Sequence, residues 1–175
     1  DKDVAQNRAD RCYVCKRRIF AEIIETAQRD GFAVVADGTN ASDDIADRPG
    51  MRALSELNVY SPLRECGMTK ADIREASKQA GLFTHQKPSY ACLATRISTD
   101  TFIYTEDLHR VESAENALST LGFLNFRVRL WSENTAKLEI AAGQFDKIMR
   151  EREAVYACLA PYFDRVLLDL KPREE

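Results

Sequence analysis

The sequence predicts an α/β fold. Short apolar runs alternate with helices of roughly a dozen residues, Gly and Pro punctuate the joins, and two late segments alternate apolar with charged residues as a hairpin would. The first helix is expected over residues 12–29, where Ile19, Phe20, Ile23, Ile24 and Ala27 recur at helical spacing and Gly31 stops it. Residues 33–36, Ala-Val-Val-Ala, read as a buried strand of a parallel sheet. Residues 39–50 are polar, Asp-rich and end in Pro49-Gly50, which makes them a loop. A short helix follows at 51–57, then an extended stretch at 59–63 broken by Pro62. Thr69 caps a helix at 70–80 whose inner face holds Ile73 and Ala76, and Gly81 ends it. Asp72 in the first turn suits the helix dipole.

Residues 87–103 are irregular, and the order of elements changes after them. A helix at 106–121 lines up Leu108, Val111, Ala114, Ala117, Leu118 and Leu121 on one face before Gly122. Strands at 126–131 and 136–140 flank a turn at 132–135. A helix at 145–159 and a strand at 166–170 complete the chain. The change of pattern places a boundary near 97–104, giving domains 1–98 and 99–175.

Composition bounds the function. The chain has 175 residues, 45% hydrophobic and 30% charged, enough for a core that needs neither disulfides nor metal merely to fold. A net charge of −3 argues against nucleic acid or a membrane surface as a bulk electrostatic partner. No apolar run approaches the roughly 18–20 residues that cross a bilayer, and Asp1-Lys2-Asp3 does not open a secretory signal. The five cysteines are odd in number and irregularly spaced, so a reducing cytoplasm is the expected location.

Cys12 and Cys15 stand as a Cys-x-x-Cys pair at the start of a helix. Two thiols at this spacing suit a metal or cluster, a redox pair, or no special role at all, and a helix N-terminus favours thiolates. Cys92 lies in an irregular stretch beside Arg96, where a buried structural thiol is the plainer reading. Taken together, three thiols match the ligand set of a four-iron cluster with one open iron, whereas a structural zinc usually takes four ligands. Cys66, Cys158, His85 and His109 read as packing or solvated residues. Gly38, Thr39 and Asn40 follow a strand end, where open α/β sheets bind ligands and where simple turns also form. Asp43, Asp44 and Asp47 are either magnesium-binding through water or a solvated acidic loop. Arg127 and Arg129 share one strand face, which suits phosphate or carboxylate or pairing with Glu139. Lys70, Arg74, Lys87 and Arg96 are further anion-site candidates.

These segments fall in the order of a known family. Cys12-Tyr13-Val14-Cys15-Lys16, Asp37-Gly38-Thr39-Asn40, Arg48-Pro49-Gly50, Ser61-Pro62-Leu63, Lys70 with Ile73-Arg74, Lys87-Pro88, Ala91-Cys92-Leu93-Ala94-Thr95-Arg96, Ala114-Glu115, Arg127-Val128-Arg129 and Leu138-Glu139 resemble LarE. LarE is the PP-loop sulfur transferase of nickel-pincer nucleotide synthesis. The resemblance covers nearly the whole chain. It implies the C-terminal half of a PP-loop domain followed by a smaller α/β domain, forming a homo-oligomer, with a hexamer the expected form. It implies a small-molecule nucleotide substrate, a pyridinium carboxylate mononucleotide. ATP with Mg2+ would adenylate its carboxylate, and sulfur would then displace AMP to leave a thiocarboxylate.

Some members of the family give up the sulfur of the cysteine matching Cys92. Others hold a 4Fe-4S cluster with three cysteines, and Cys12, Cys15 and Cys92 match those. Glu115 matches an active-site acid. Arg96, Arg127, Arg129 and Glu139 would hold the substrate's phosphate or carboxylates, and Gly38, Thr39 and Asn40 the nucleotide. One departure is plain: the Ser-Gly-Gly-x-Asp-Ser phosphate cradle is absent from this sequence. These residues alone are therefore expected not to adenylate a substrate. The rival expectations are a PP-loop tRNA thiolation enzyme and a non-catalytic zinc-binding or assembly module.

Overall fold

The computed structural model describes residues 1–43 and 49–173. It is a mixed α/β structure that divides into two compact units, Asp1–Val4 with Arg8–Lys87, and Ala5–Asn7 with Pro88–Glu175. The division falls at Lys87/Pro88, whereas the change in sequence pattern sits some ten residues later. The linking stretch is irregular in pattern, so periodicity alone does not say which unit it packs with.

The first unit is predominantly helical. After a short turn of helix α1 (Lys2–Ala5), α2 runs from Arg11 to Arg29 (Arg11–Arg29), as the periodicity predicts. It packs against α3 (Pro49–Glu56). Tyr13 on α2 donates to Glu56 at 2.7 Å, and Arg52 stacks over the Tyr13 ring at 3.8 Å. Gly50 allows the Lys16 stem to approach closely: a Cβ there would meet Lys16 Cδ at 2.8 Å. The face predicted to be inward on α2 is only partly covered. Phe20, Ile24 and Ala27 are half-buried, while Ile19 and Ile23 are exposed.

The strand expected at residues 33–36 does not form. Val34 is 67% exposed, and the segment makes a single parallel bridge, Ala36 to Tyr60. A parallel strand is stabilised by neighbours on both edges and layers on both faces. Among the described residues, this stretch has one bridging partner and no covering layer. The extended stretch expected at 59–63 is also shorter, because Pro62 starts a helical turn, α4 (Pro62–Glu65). Helix α5 (Lys70–Gln79) has the predicted Thr69 cap as a full capping box with Asp72. Gly81 follows it at φ +69°.

The second unit holds the larger core. Helix α6 (Thr105–Thr120) packs across a three-stranded sheet of β1 (Arg127–Ser132), β2 (Thr135–Glu139) and β3 (Arg165–Leu168), in that order. β1 and β2 form the predicted antiparallel hairpin, with a bulge between Leu130 and Ser132. β2 and β3 run parallel, joined by the crossover through α7 (Phe145–Arg150) and α8 (Arg152–Leu159). The single helix expected at 145–159 is therefore two helices, meeting at Glu151. The break lets Ile148 on one and Val155 and Leu159 on the other reach the same core. Val111, Ala114 and Leu118 of α6 meet Val128, Ala136 and Leu138 of the sheet in that core.

Asn7 was not visible as a structural residue in the sequence. It is fully buried at φ 54°, and its amide donates to the carbonyls of Ser98 at 2.8 Å and Ile97 at 3.4 Å. Asn is the residue other than Gly that best tolerates this backbone. Asn7→Ala is expected to cost about 1–3 kcal/mol, because the bonds from the buried Asn7 amide to the Ile97 and Ser98 carbonyls are lost and Ala disfavours the left-handed region. Urea unfolding of the variant checks this.

Candidate anion site on the second unit

The site begins with a buried ion pair. Arg96, 1% exposed, lays its guanidinium on the Glu115 carboxylate through Nε at 2.8 Å and Nη2 at 3.0 Å. Glu115 lies on the core face of α6, one turn from Val111 and Leu118, so helical periodicity drives it inward with its apolar neighbours. Its Oε1 also accepts the backbone N–H of Val128 at 3.0 Å, and its Oε2 accepts the Tyr90 hydroxyl at 2.9 Å. β1 is an edge strand, so Glu115 satisfies an N–H that the sheet leaves open. Burial first, and then the hydrogen bond to Glu115, push the Tyr90 phenol up to about 12.

Arg96 does more than pair with Glu115. Its Nη1 donates to the Ala91 carbonyl at 3.1 Å, with the Cys92 carbonyl at 3.5 Å. Ile97 then bridges to Leu130 of β1, and Arg129 donates to the Thr95 carbonyl. The turn carrying Cys92 is thus fastened to the sheet edge from both sides while Cys92 itself is exposed. The sequence placed Arg96 among residues for the substrate's phosphate or carboxylates. The structure places its donors on Glu115 and on the backbone around Cys92.

The polar face of the hairpin holds the other predicted residues. Arg127 pairs in register with Glu139, and Arg129 with Lys137, so all four sit opposite the core residue Val128. Arg129 Nε meets Glu139 Oε1 at 2.6 Å, and Lys137 Nζ meets Glu139 and Asp169 at 3.0 Å each. Burial would raise the Glu139 pKa, but hydrogen bonds from Arg129 and Lys137 outweigh it and hold the carboxyl below its usual value. Its stabilising contribution is then fully present above an unfolded pKa of about 4.3 and is lost as pH falls through the lower folded value. The stability gap between wild type and Glu139→Gln is expected to be widest near neutrality and to close below about pH 4. Denaturation midpoints measured across that range check it.

Arg173 was missed. It lies beyond the last predicted strand, yet its backbone N–H bonds to the Ile140 carbonyl at 2.9 Å and it bridges Ala141 in parallel. No motif or periodicity marked it, because its placement comes from a chain return to the end of β2.

The first unit carries the remaining candidates. Cys12 and Cys15 lie one turn apart in the first turns of α2, Cys12 exposed and Cys15 half-buried. Cys92 belongs to the second unit. Among the described residues, which include all five cysteines, no disulfide forms, and no group of three or more His, Cys, Asp or Glu is gathered for a metal. As donors, the thiols have the soft chemistry an iron–sulfur cluster takes.

Thr39 is buried, and both its N–H (3.2 Å) and its hydroxyl are given to Asp37, which Ser61 also meets at 2.6 Å. Burial alone would raise the Asp37 carboxyl, but these hydrogen bonds and Lys16 hold it below its usual value. Asn40 N–H donates to Asp43 at 3.0 Å and its side chain accepts from Ser42 N–H at 3.0 Å, while Gly38 is exposed. Asp44, Asp47 and Arg48 lie outside the described residues. Arg74 donates to the Lys87 carbonyl at 3.1 Å, and Lys70 is exposed at the start of α5.

The fold and this cluster define a mixed α/β protein with arginines on the polar face of the hairpin and an exposed thiol in the same unit. No family model matches the chain. It is 33% identical to an uncharacterized protein of Methanocaldococcus jannaschii, over 96% of this chain and 66% of that protein. It is 35% identical to an uncharacterized protein of Synechocystis, over 83% of this chain and 54% of that one. A third relative has a named activity: the pyridinium-3,5-bisthiocarboxylic acid mononucleotide synthase of Lactiplantibacillus plantarum, 29% identical over 97% of this chain and 62% of the synthase. The chain thus spans between about half and two thirds of the length of these relatives. Among the described residues, no helix is long and apolar enough to cross a membrane.

Proposed function

We propose that the protein to which these residues belong is a LarE-like, ATP-dependent sulfur transferase, built on a PP-loop domain, that thiolates a pyridinium carboxylate mononucleotide. The observation that carries this reading is the presentation of Cys92: an exposed thiol on a turn pinned by the buried Arg96–Glu115 pair, in the same unit as a face of arginines. The named relative, a synthase of a pyridinium bisthiocarboxylate mononucleotide, supports it.

In this reading ATP, with Mg2+, converts a substrate carboxylate to an acyl-adenylate and releases pyrophosphate. Sulfur then attacks the acyl carbon and AMP departs. Gly38, Thr39 and Asn40 line the nucleotide's side of the reaction. Arg127 and Arg129, with Glu139 fixing Arg129, receive the phosphate or carboxylates. Arg96 and Glu115 act by holding the Cys92 turn in place. Cys12, Cys15 and Cys92 are the residues that would hold a 4Fe-4S cluster, which would supply exchangeable sulfide. The working form is a cytoplasmic homo-oligomer.

The test uses the full-length protein, purified without oxygen and supplied with ATP, Mg2+, sulfide and a pyridinium dicarboxylate mononucleotide. A product in which sulfur replaces one carboxylate oxygen, read by mass spectrometry, is the expected result. Iron in the protein, with visible absorption lost on Cys92→Ala, is expected for the cluster. Stoichiometric zinc without iron would reject that part, and no thiocarboxylate under any of these conditions would reject the whole.

A further inference from the structure

We infer that Trp131 is the stacking platform for the substrate's cationic ring, the residue by which the second unit tells a pyridinium nucleotide from one with a neutral base. This rests on the reading of the protein as one that thiolates a pyridinium carboxylate mononucleotide, and adds to it a residue and a specificity.

The hairpin places the ring. Trp131 falls at the bulge between Leu130 and Ser132, outside the cross-strand register of β1 and β2. A bulge of this kind re-aims a side chain. Trp131 is 60% exposed, although an indole is among the largest apolar surfaces a residue can bury. Its ring lies on the polar side of the sheet, where Lys137 Nζ stands 5.4 Å from the ring centroid. The same Nζ meets Glu139 at 3.0 Å, and Glu139 holds Arg129 at 2.6 Å. An exposed indole thus adjoins, through one lysine and one glutamate, the arginine that the proposed reaction gives to the substrate's phosphate or carboxylates.

The chemistry of this neighbourhood leaves one part of such a substrate unmet. Guanidinium and ammonium groups recognise phosphate and carboxylate, but they offer a positively charged ring no attraction. The carboxylates of Glu139 and Asp169 are engaged by Arg129 and Lys137. An indole face supplies the missing interaction, because Trp is the best aromatic partner for a cation over its ring. Lys137 already stands at cation–π distance from it. A flat pyridinium stacked on the indole keeps its carboxylates and phosphate at its edge, free for the basic residues. A neutral base stacks without the charge interaction and gains less.

Trp131 is the single tryptophan of these 175 residues. Its emission in the full-length protein is therefore read as the difference between wild type and Trp131→Phe. The probe is pyridinium-3-carboxylate mononucleotide, with uridine 5′-monophosphate and AMP as neutral-base controls, and affinities are measured by calorimetry. The pyridinium nucleotide is expected to quench the Trp131 emission on binding. Trp131→Ala is expected to bind it about tenfold more weakly, the usual scale of a lost stacking partner. Trp131→Phe, a weaker cation–π partner, is expected to fall between. Uridine 5′-monophosphate is expected to lose about threefold or less in Trp131→Ala. If Trp131→Ala does not fold, the loss of affinity in Trp131→Phe decides.

Wild-type affinity for the pyridinium nucleotide in both variants overturns the inference, whether or not the oligomer's mass changes with them. So does an equal loss for uridine 5′-monophosphate, a larger loss for AMP, or no binding of the pyridinium nucleotide to wild type. Binding is read without sulfur transfer, so Trp131-dependent binding with no thiocarboxylate product would remove the proposed reaction and leave the stacking residue. Thiocarboxylate formed by Trp131→Ala at the wild-type KM would remove the stacking residue alone.

Discussion

Arg96→Met is expected to destabilise the second unit by about 3–5 kcal/mol, the cost of leaving one partner of a buried ion pair uncompensated. Glu115 is 4% exposed, so its carboxylate cannot turn to water when Arg96 is lost. The Ala91 carbonyl would lose its donor as well. Chemical unfolding at pH 7 should show the loss. The double variant Arg96→Met with Glu115→Leu is expected to recover part of the loss, because an apolar pair removes the unpaired charge. Recovery should be incomplete, since Val128 N–H and the Tyr90 hydroxyl would both lose their acceptor. A single variant that unfolds like wild type would show that the pair is not the anchor of this turn.

Cys92→Ala is expected to reduce thiocarboxylate formation to background while leaving the unfolding midpoint nearly unchanged. The side chain is exposed, and substitutions at exposed positions usually move stability by no more than about 0.5 kcal/mol. Activity and stability are thereby separated at one residue, in contrast to Arg96. Cys12→Ala distinguishes the two sources of sulfur. If a cluster supplies it, Cys12→Ala also abolishes turnover and the iron is lost. If Cys92 gives up its own sulfur, Cys12→Ala keeps a single turnover and Cys92 ends as dehydroalanine, visible by mass spectrometry.

Much of the second unit was legible before folding was considered. The apolar stripe of α6, the alternation of β1 and β2, and the Gly122 stop are periodic signals repeated over many residues, and they agree with the structure. So does the capping box at Thr69 and Asp72, because its chemistry is local. The run at 33–36 misled because a strand is defined by its neighbours. Four apolar residues carry no record of whether a partner lies on either side. The break at Glu151 was hidden for a related reason, since two short helices packing on one core show the same apolar spacing as one long helix.

The site divides along the same line. Residue type and chain spacing marked Cys12, Cys15, Cys92, Arg96, Arg127, Arg129 and Glu139, as thiols in a pair or guanidiniums alternating on a strand, whereas Glu115 was marked only by the resemblance to LarE. Only the tertiary structure decided what each one touches. It turned Arg96 inward onto Glu115, gave Glu139 to Arg129 and Lys137, and brought Arg173 back beside β2. The physical reason is range. Periodicity and capping act over a few residues, whereas which charge is buried and which is paired depends on segments that meet only when the chain folds.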